Sequence, residues 1–230
     1  MTDTEIREAI DAGDIELAPI GETCIQPASY DLRLGDKAIV TKTQDIEELR
    51  ERLKDNQGAA EINVSKEGSI SVPAGAFALV VTRERIRLSA QYAGHLGLRS
   101  YFARKGLLLL AGLQVDPGFE GHLVLGLANL SPRTVHLSYE DKIATLELHR
   151  LNQAASDVYA GVYAGQQTTP TIPQADADYL RTIETLSVSD LTNALLRLSD
   201  NVATLSRDVR VIWIPVGIAI FAAVVLRLIF

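Results

Sequence analysis

Apolar and polar residues alternate with a period near two through much of residues 15–150, in short runs cut by glycine and proline. The clearest runs are IELAPI, SYDLRLG, AIVTK, SISVPAGAFALVVT, HLVLGLANL and TVHLSY. Such alternation places successive side chains on opposite faces of a strand, one face buried and one wet. Strands do not alternate regularly with helices, so the expected fold is mainly β, a compact antiparallel barrel or sandwich. Ahead of it, residues 4–13 (TEIREAIDAG) predict a short helix capped by Thr4, with Ile6, Ala9 and Ile10 as its apolar face. Residues 47–56 (EELRERLKDN) read as a helical or looped insertion between strands.

Past residue 167 the pattern changes. Residues 168–178 (TTPTIPQADAD) have the Thr, Pro and Asp content of a linker. Within residues 179–210, Val188, Leu191, Leu195, Leu198, Val202, Leu205 and Val209 are spaced alternately three and four apart, the seam of a coiled-coil helix. Val at a and Leu at d favour two strands. Residues 211–230 carry the uncharged run VIWIPVGIAIFAAVVL before Arg227. About twenty helical residues cover roughly 30 Å, the thickness of a bilayer's hydrocarbon core. Trp213 and Arg227 suit the two interfaces. The expectation is a single transmembrane helix that makes the chain a tail-anchored protein of a lipid bilayer, with residues 1–167 in the cytoplasm. Arg207 and Arg210 form the cytoplasmic flank, and the polar start MTDTEIREAID is unlike a secretory signal.

Composition narrows the chemistry. A net charge of −7 disfavours nucleic acid as a partner. The single cysteine, Cys24, cannot form an internal disulfide and fits a reducing compartment. The four histidines (His95, His122, His136 and His149) stand singly, without HxxH, HxE or CxxC spacing. No zinc or other protein-built metal site is expected from that spacing.

Three segments concentrate polar groups. Residues 26–35 (QPASYDLRLG) place Ser29, Asp31 and Arg33 on one strand face. Residues 98–106 (LRSYFARKG) bring together Arg99, Ser100, Arg104 and Lys105, a combination suited to phosphate. Residues 114–121 (QVDPGFEG) put Asp116 before Pro-Gly, where it is a turn former or a general base.

Taken in order, EIREAIDAG, SYDLRLG, Thr82-x-Glu84, RS-x-x-AR-x-G, VDPGFEGHLVL with Asn129, and the run from Tyr159 to Gln166 resemble the dCTP deaminase branch of the dCTP deaminase/dUTPase superfamily. The resemblance spans residues 4–167. It implies a β-rich homotrimer with active sites between subunits, binding deoxypyrimidine nucleoside triphosphates with Mg²⁺ and without zinc. It assigns Asp116, Ser100 and Arg104 to catalysis, and Arg99, Ser100, Arg104, Tyr163 and Gln166 to the nucleotide and its phosphates. Three positions depart from the pattern. Gly126 stands where deaminases carry the Glu that activates water, Tyr101 replaces the second Ser of an RSS motif, and Val162 replaces a Lys.

Because glycine moves no proton, ordinary dCTP deamination loses its base. The function expected is a membrane-tethered superfamily member that binds deoxypyrimidine triphosphates, with dUTPase-like hydrolysis. The alternatives are an inactive trimeric scaffold or nucleotide sensor, and a dCTP deaminase using a non-standard base.

Overall fold

The computed structural model describes residues 1–41, 61–161, 172–177, 197–202 and 204. Two compact units are distinguished, Met1–Glu184 and Thr185–Phe230.

The first unit opens with α1 (Asp3–Asp11). Thr2, not Thr4, is its cap: the Thr2 hydroxyl accepts from the Glu5 amide at 3.3 Å, and the Glu5 carboxylate accepts from the Thr2 amide at 2.7 Å. This reciprocal capping box satisfies two donors that a helix start leaves open. The bond from the Thr2 amide also holds the Glu5 carboxyl below its ordinary pKa. Ile6 and Ala9 are buried, as the apolar stripe predicts, and Ile10 packs against the core from a half-buried position.

The strands that follow are β1 (Ile15–Ala18), β2 (Ile25–Gln26), β3 (Ser29–Val40), β4 (Glu61–Asn63), β5 (Ser69–Val72) and β6 (Phe77–Leu88). Then come β7 (Tyr92–Leu98), β8 (Leu107–Leu110), β9 (Gln114–Val115), β10 (Glu120–Asn129), β11 (Val135–Ser138) and β12 (Lys142–Arg150). Two four-residue helices, α2 (Val64–Glu67) and α3 (Ser100–Ala103), interrupt them. The main sheet runs β8-β10-β6-β3-β12-β7-β9, with β1 on β6 and with β2 and β4 on β3; β5 and β11 form a separate pair. Every pairing is antiparallel. The mainly β, antiparallel expectation therefore holds for this unit, in a curled sheet around a core that includes Tyr30, Leu34, Ile86, Leu125, Leu137 and Leu146.

Alternation is clearest in β6, where Glu84, Ile86 and Leu88 face inward while Arg83, Arg85 and Arg87 face outward. The outward arginines pair with carboxylates of neighbouring strands and turns: Arg83 with Glu140 at 3.2 Å, Arg85 with Glu16 at 3.0 Å and with Glu120, and Arg87 with Glu16 at 3.3 Å.

The rhythm fails between Val80 and Thr82, three buried residues in a row. There the register slips, with Val124 opposite Val81 but His122 opposite Arg85. A bulge of this kind re-aims side chains at the rim of a sheet. Asn129, buried at the end of β10, donates to the carbonyls of Val72, Pro73 and Arg133 and accepts from Ser131. It clamps the β10–β11 turn to the end of β5.

Downstream, residues 174–177 form a helical turn. Ile172 and Ala177 are buried against Ile39 and Val81, so this part of the segment with linker composition packs on the sheet. In the second unit, residues 197–202 and 204 are helical, and the seam positions Leu198 and Val202 are exposed. The other predicted coiled-coil positions, the 47–56 insertion and the apolar run 211–230 lie outside the described residues. Among the described residues, no helix is long and apolar enough to cross a membrane.

Candidate functional site

A cavity of about 610 Å³ opens beside β10. Its walls include Phe77 and Leu79 of β6, Leu110–Gly112 after β8, Asp116 and Phe119 of the turn into β10, His122, Val124 and Gly126 of β10, and Tyr159. A cavity of this size, mostly apolar with a few polar groups, suits one small molecule.

Asp116 is placed there by turn chemistry. Pro117 presets the first turn dihedral, Gly118 adopts φ +80°, and the Phe119 amide closes the turn on the Asp116 carbonyl at 3.1 Å. Only glycine fits the third position comfortably, because a side chain there would also meet Val158 at 2.6 Å. The Tyr159 amide then bonds the Pro117 carbonyl at 2.9 Å, and its ring lies 5.7 Å from that of Phe119. The half-buried Asp116 carboxylate accepts on Oδ1 from Gln114 Nε2 at 2.6 Å. Asp116 is thus both turn former and cavity acid.

His122 was singled out by no motif, yet it lines the same cavity. Its Nδ1 lies 3.0 Å from the Thr82 carbonyl. A carbonyl only accepts, so Nδ1 carries a proton, which in the neutral tautomer leaves Nε2 as the acceptor. Thr82 is buried, its hydroxyl donating to the Glu84 carbonyl at 2.9 Å and accepting from the Leu123 amide at 2.9 Å. The Thr82-x-Glu84 motif is therefore the internal support of this wall. His122 and Gly126 are four residues apart on a strand, or about 13 Å, so the imidazole lies well along the cavity from Gly126.

Arg99, Ser100 and Arg104 do not line the cavity. Arg99 precedes α3 and pairs with the buried carboxylate of Asp31. Ser100 and Arg104 are exposed at the two ends of α3. Arg104 makes no side-chain hydrogen bond or ion pair among the described residues. Tyr101 holds Lys105: the ammonium donates to the phenol oxygen at 2.7 Å and lies 4.0 Å from the ring centre.

Ser29, Asp31 and Arg33 do not converge either, since Arg33 turns to Glu84 while Asp31 serves Arg99. Burial works against the charged Arg33 guanidinium, but the hydrogen bond and charge of Glu84 outweigh it and raise the Arg33 pKa. Tyr163 and Gln166 lie outside the described residues.

Gly126 is buried in β10 with its neighbours closed around it. A Cβ there would sit 2.5 Å from the Leu110 carbonyl oxygen and 3.0 Å from Phe77. A side chain at 126 would therefore have to displace Leu110 backbone or Phe77, although the residue borders the cavity.

Residues 1–151 match the dCTP deaminase-like family. The chain belongs to that family. It is 36% identical over 154 residues to a dCTP deaminase of Thermococcus sibiricus, covering 67% of this chain and 87% of that protein. Over 191 residues it is 31% identical to a dUMP-forming dCTP deaminase of Methanopyrus kandleri, 79% of this chain and 98% of that one. Among solved structures, the 2′-deoxycytidine 5′-triphosphate deaminase of Agrobacterium tumefaciens superposes with a TM-score of 0.49 at 19% identity, over 64% of this chain and 45% of that one.

As a dCTP deaminase-like protein, the chain has Gly126 inside the matched residues, packed closely by Leu110 and Phe77. The family match covers residues 1–151 and leaves the segment from 168 onward to be read on its own terms.

Proposed function

We propose that this protein binds deoxypyrimidine nucleoside triphosphates in the cavity beside β10 and hydrolyses them in the manner of a dUTPase, with Asp116 orienting the water. The observation that carries the reading is the pairing of Asp116 with Gly126 on one cavity. A carboxylate remains where water is to be held, and no proton-transfer group remains at the position of the deaminase Glu.

Gln114 engages Asp116 Oδ1, which leaves Oδ2 to accept from a water molecule. The water oxygen bonds to the α-phosphorus, the bridging P–O bond breaks, and pyrophosphate leaves with the electron pair. Asp116 supplies hard oxygen donors, but among the described residues no group of three His, Cys, Asp or Glu side chains is drawn to one point, at this cavity or elsewhere. Mg²⁺ therefore fits best as an ion carried in on the triphosphate with its own waters, where it would neutralise phosphate charge.

Arg99, Ser100 and Arg104 stand off this cavity and still suit phosphate. That separation supports a homotrimer in which a second copy brings them to the nucleotide. Calorimetry of dUTP and dCTP with Mg²⁺, run beside a pyrophosphate-release assay, tests the reading. Asp116→Asn is expected to bind within a few-fold of wild type and to release pyrophosphate about 100-fold more slowly. Binding without release in the wild type would move the assignment to a nucleotide sensor, which the crowding at Gly126 and the diversion of Lys105 to Tyr101 also favour. Absence of binding would leave only a scaffold, and ammonia release from dCTP would point to a deaminase with another base.

The segment 211–230 is read as a bilayer-spanning helix on the strength of its length and lack of charge before Arg227. The full chain is expected in carbonate-washed membranes, and a chain ending at residue 210 in the supernatant. Recovery of both in the supernatant would remove the tether.

A further inference from the structure

The antiparallel register of β7 and β12 sets His95 opposite Glu147 and Ala93 opposite His149. Residues directly opposite, and those two apart on one strand, share a sheet face. His95, Glu147 and His149 therefore lie together on one face, and all three are exposed. The two imidazole rings approach to 4.7 Å between centroids, tilted by 56°. Beside them His95, Thr145 and Glu147 border a hollow of about 280 Å³, which adjoins the cavity beside β10 at Leu96. None of the three side chains makes a hydrogen bond or ion pair among the described residues, so the carboxylate and both rings are available.

We propose that the His95–His149 pair, with Glu147 beside it, is a surface site for a borderline divalent transition cation of the Zn²⁺ kind. Two imidazoles that bind one ion at about 2.0–2.1 Å each have ring centres roughly 5 Å apart, and the 4.7 Å spacing is compatible with that. Imidazole nitrogen suits Zn²⁺, Cu²⁺ and Ni²⁺, whereas Mg²⁺ and Ca²⁺ favour oxygen donors. The trio is not drawn to a single point. The histidine pair is the anchor, and Glu147 joins by a rotamer change or through a water, with solvent filling the remaining position.

No motif search finds this site, because its ligands come from strands more than fifty residues apart. It is independent of any reading of the nucleotide cavity's chemistry.

The test uses tag-free full-length protein in detergent micelles, stripped with EDTA and dialysed, and titrated with ZnCl₂ by calorimetry. At about pH 7.5 one ion per chain should bind with micromolar affinity. His95→Ala and His149→Ala are each expected to weaken binding at least about tenfold, and Glu147→Gln by less. All three side chains are exposed, so circular dichroism should show unchanged folding. Zn²⁺ should raise the thermal midpoint of wild type but not of the double histidine variant. The proposal is overturned if wild type shows no saturable binding below about 1 mM, or if the double variant binds as wild type does.

Discussion

Glu84→Ala is expected to destabilise the β-domain by about 3–5 kcal/mol. Glu84 is fully buried. Its Oε1 accepts from Arg33 Nε at 2.6 Å and its Oε2 from the Arg33 amide at 2.8 Å. The same carboxylate lies 3.5 Å from the Tyr30 hydroxyl, which itself accepts from the Gly21 amide at 2.9 Å. Burial, opposed by that amide bond and reinforced by the Glu84 charge, pushes the Tyr30 phenol up and keeps it neutral.

Removing Glu84 strands a largely buried guanidinium, with Glu140 at 3.3 Å and the Pro19 carbonyl at 2.6 Å left to hold it among the described residues. An uncompensated buried charge costs more than the pair contributes, so replacing both partners with Met should recover most of the loss. Urea denaturation of residues 1–184, single variants beside the double, measures both. A single-variant loss under about 1 kcal/mol would mean that this pair does not fasten β3 to β6.

Gly126→Glu, which puts a carboxylate where the family resemblance expects one, should destabilise the domain by more than about 3 kcal/mol and yield no ammonia from dCTP. A new Cβ at this position meets the Leu110 carbonyl oxygen at 2.5 Å. That atom belongs to backbone, and Leu110 lies opposite Gly126 in the β8–β10 ladder. Overpacking alone costs about 1–3 kcal/mol, and a carboxylate pressed into a mostly apolar wall adds its desolvation. Gly126→Ala isolates the first contribution and should fall in the 1–3 kcal/mol range. Thermal melts of the two variants separate packing from charge. A stable Gly126→Glu protein that deaminates dCTP would show that β8 yields readily and that one carboxylate at this position is enough for deamination.

Much of the fold was legible because strand alternation is a local signal. β5 and the start of β6 follow directly from period two and the break at residues 73–75, whereas residues 80–82 and 125–127 are each buried three in a row. β8 gave no such signal, since four successive leucines have no alternation to read. The cap of α1 moved from Thr4 to Thr2 because the capping box depends on which Glu lies three residues on.

The sequence by itself determined the mainly β class, the order of motifs that marks the family, and Asp116 as the acid of a Pro-Gly turn. It also showed the glycine at 126. All of these reside in residue type and near-neighbour spacing. Only the tertiary structure decided that Asp116, His122, Gly126 and Tyr159 share one cavity while Arg99, Ser100 and Arg104 stand away from it. It likewise decided that Glu84 spends its charge on Arg33, and that His95 meets His149. Such meetings depend on sheet register and on the bulge between β6 and β10, where a slip changes which residues oppose each other. Register is fixed by the packing of the whole core, so no local pattern in the chain could have announced them.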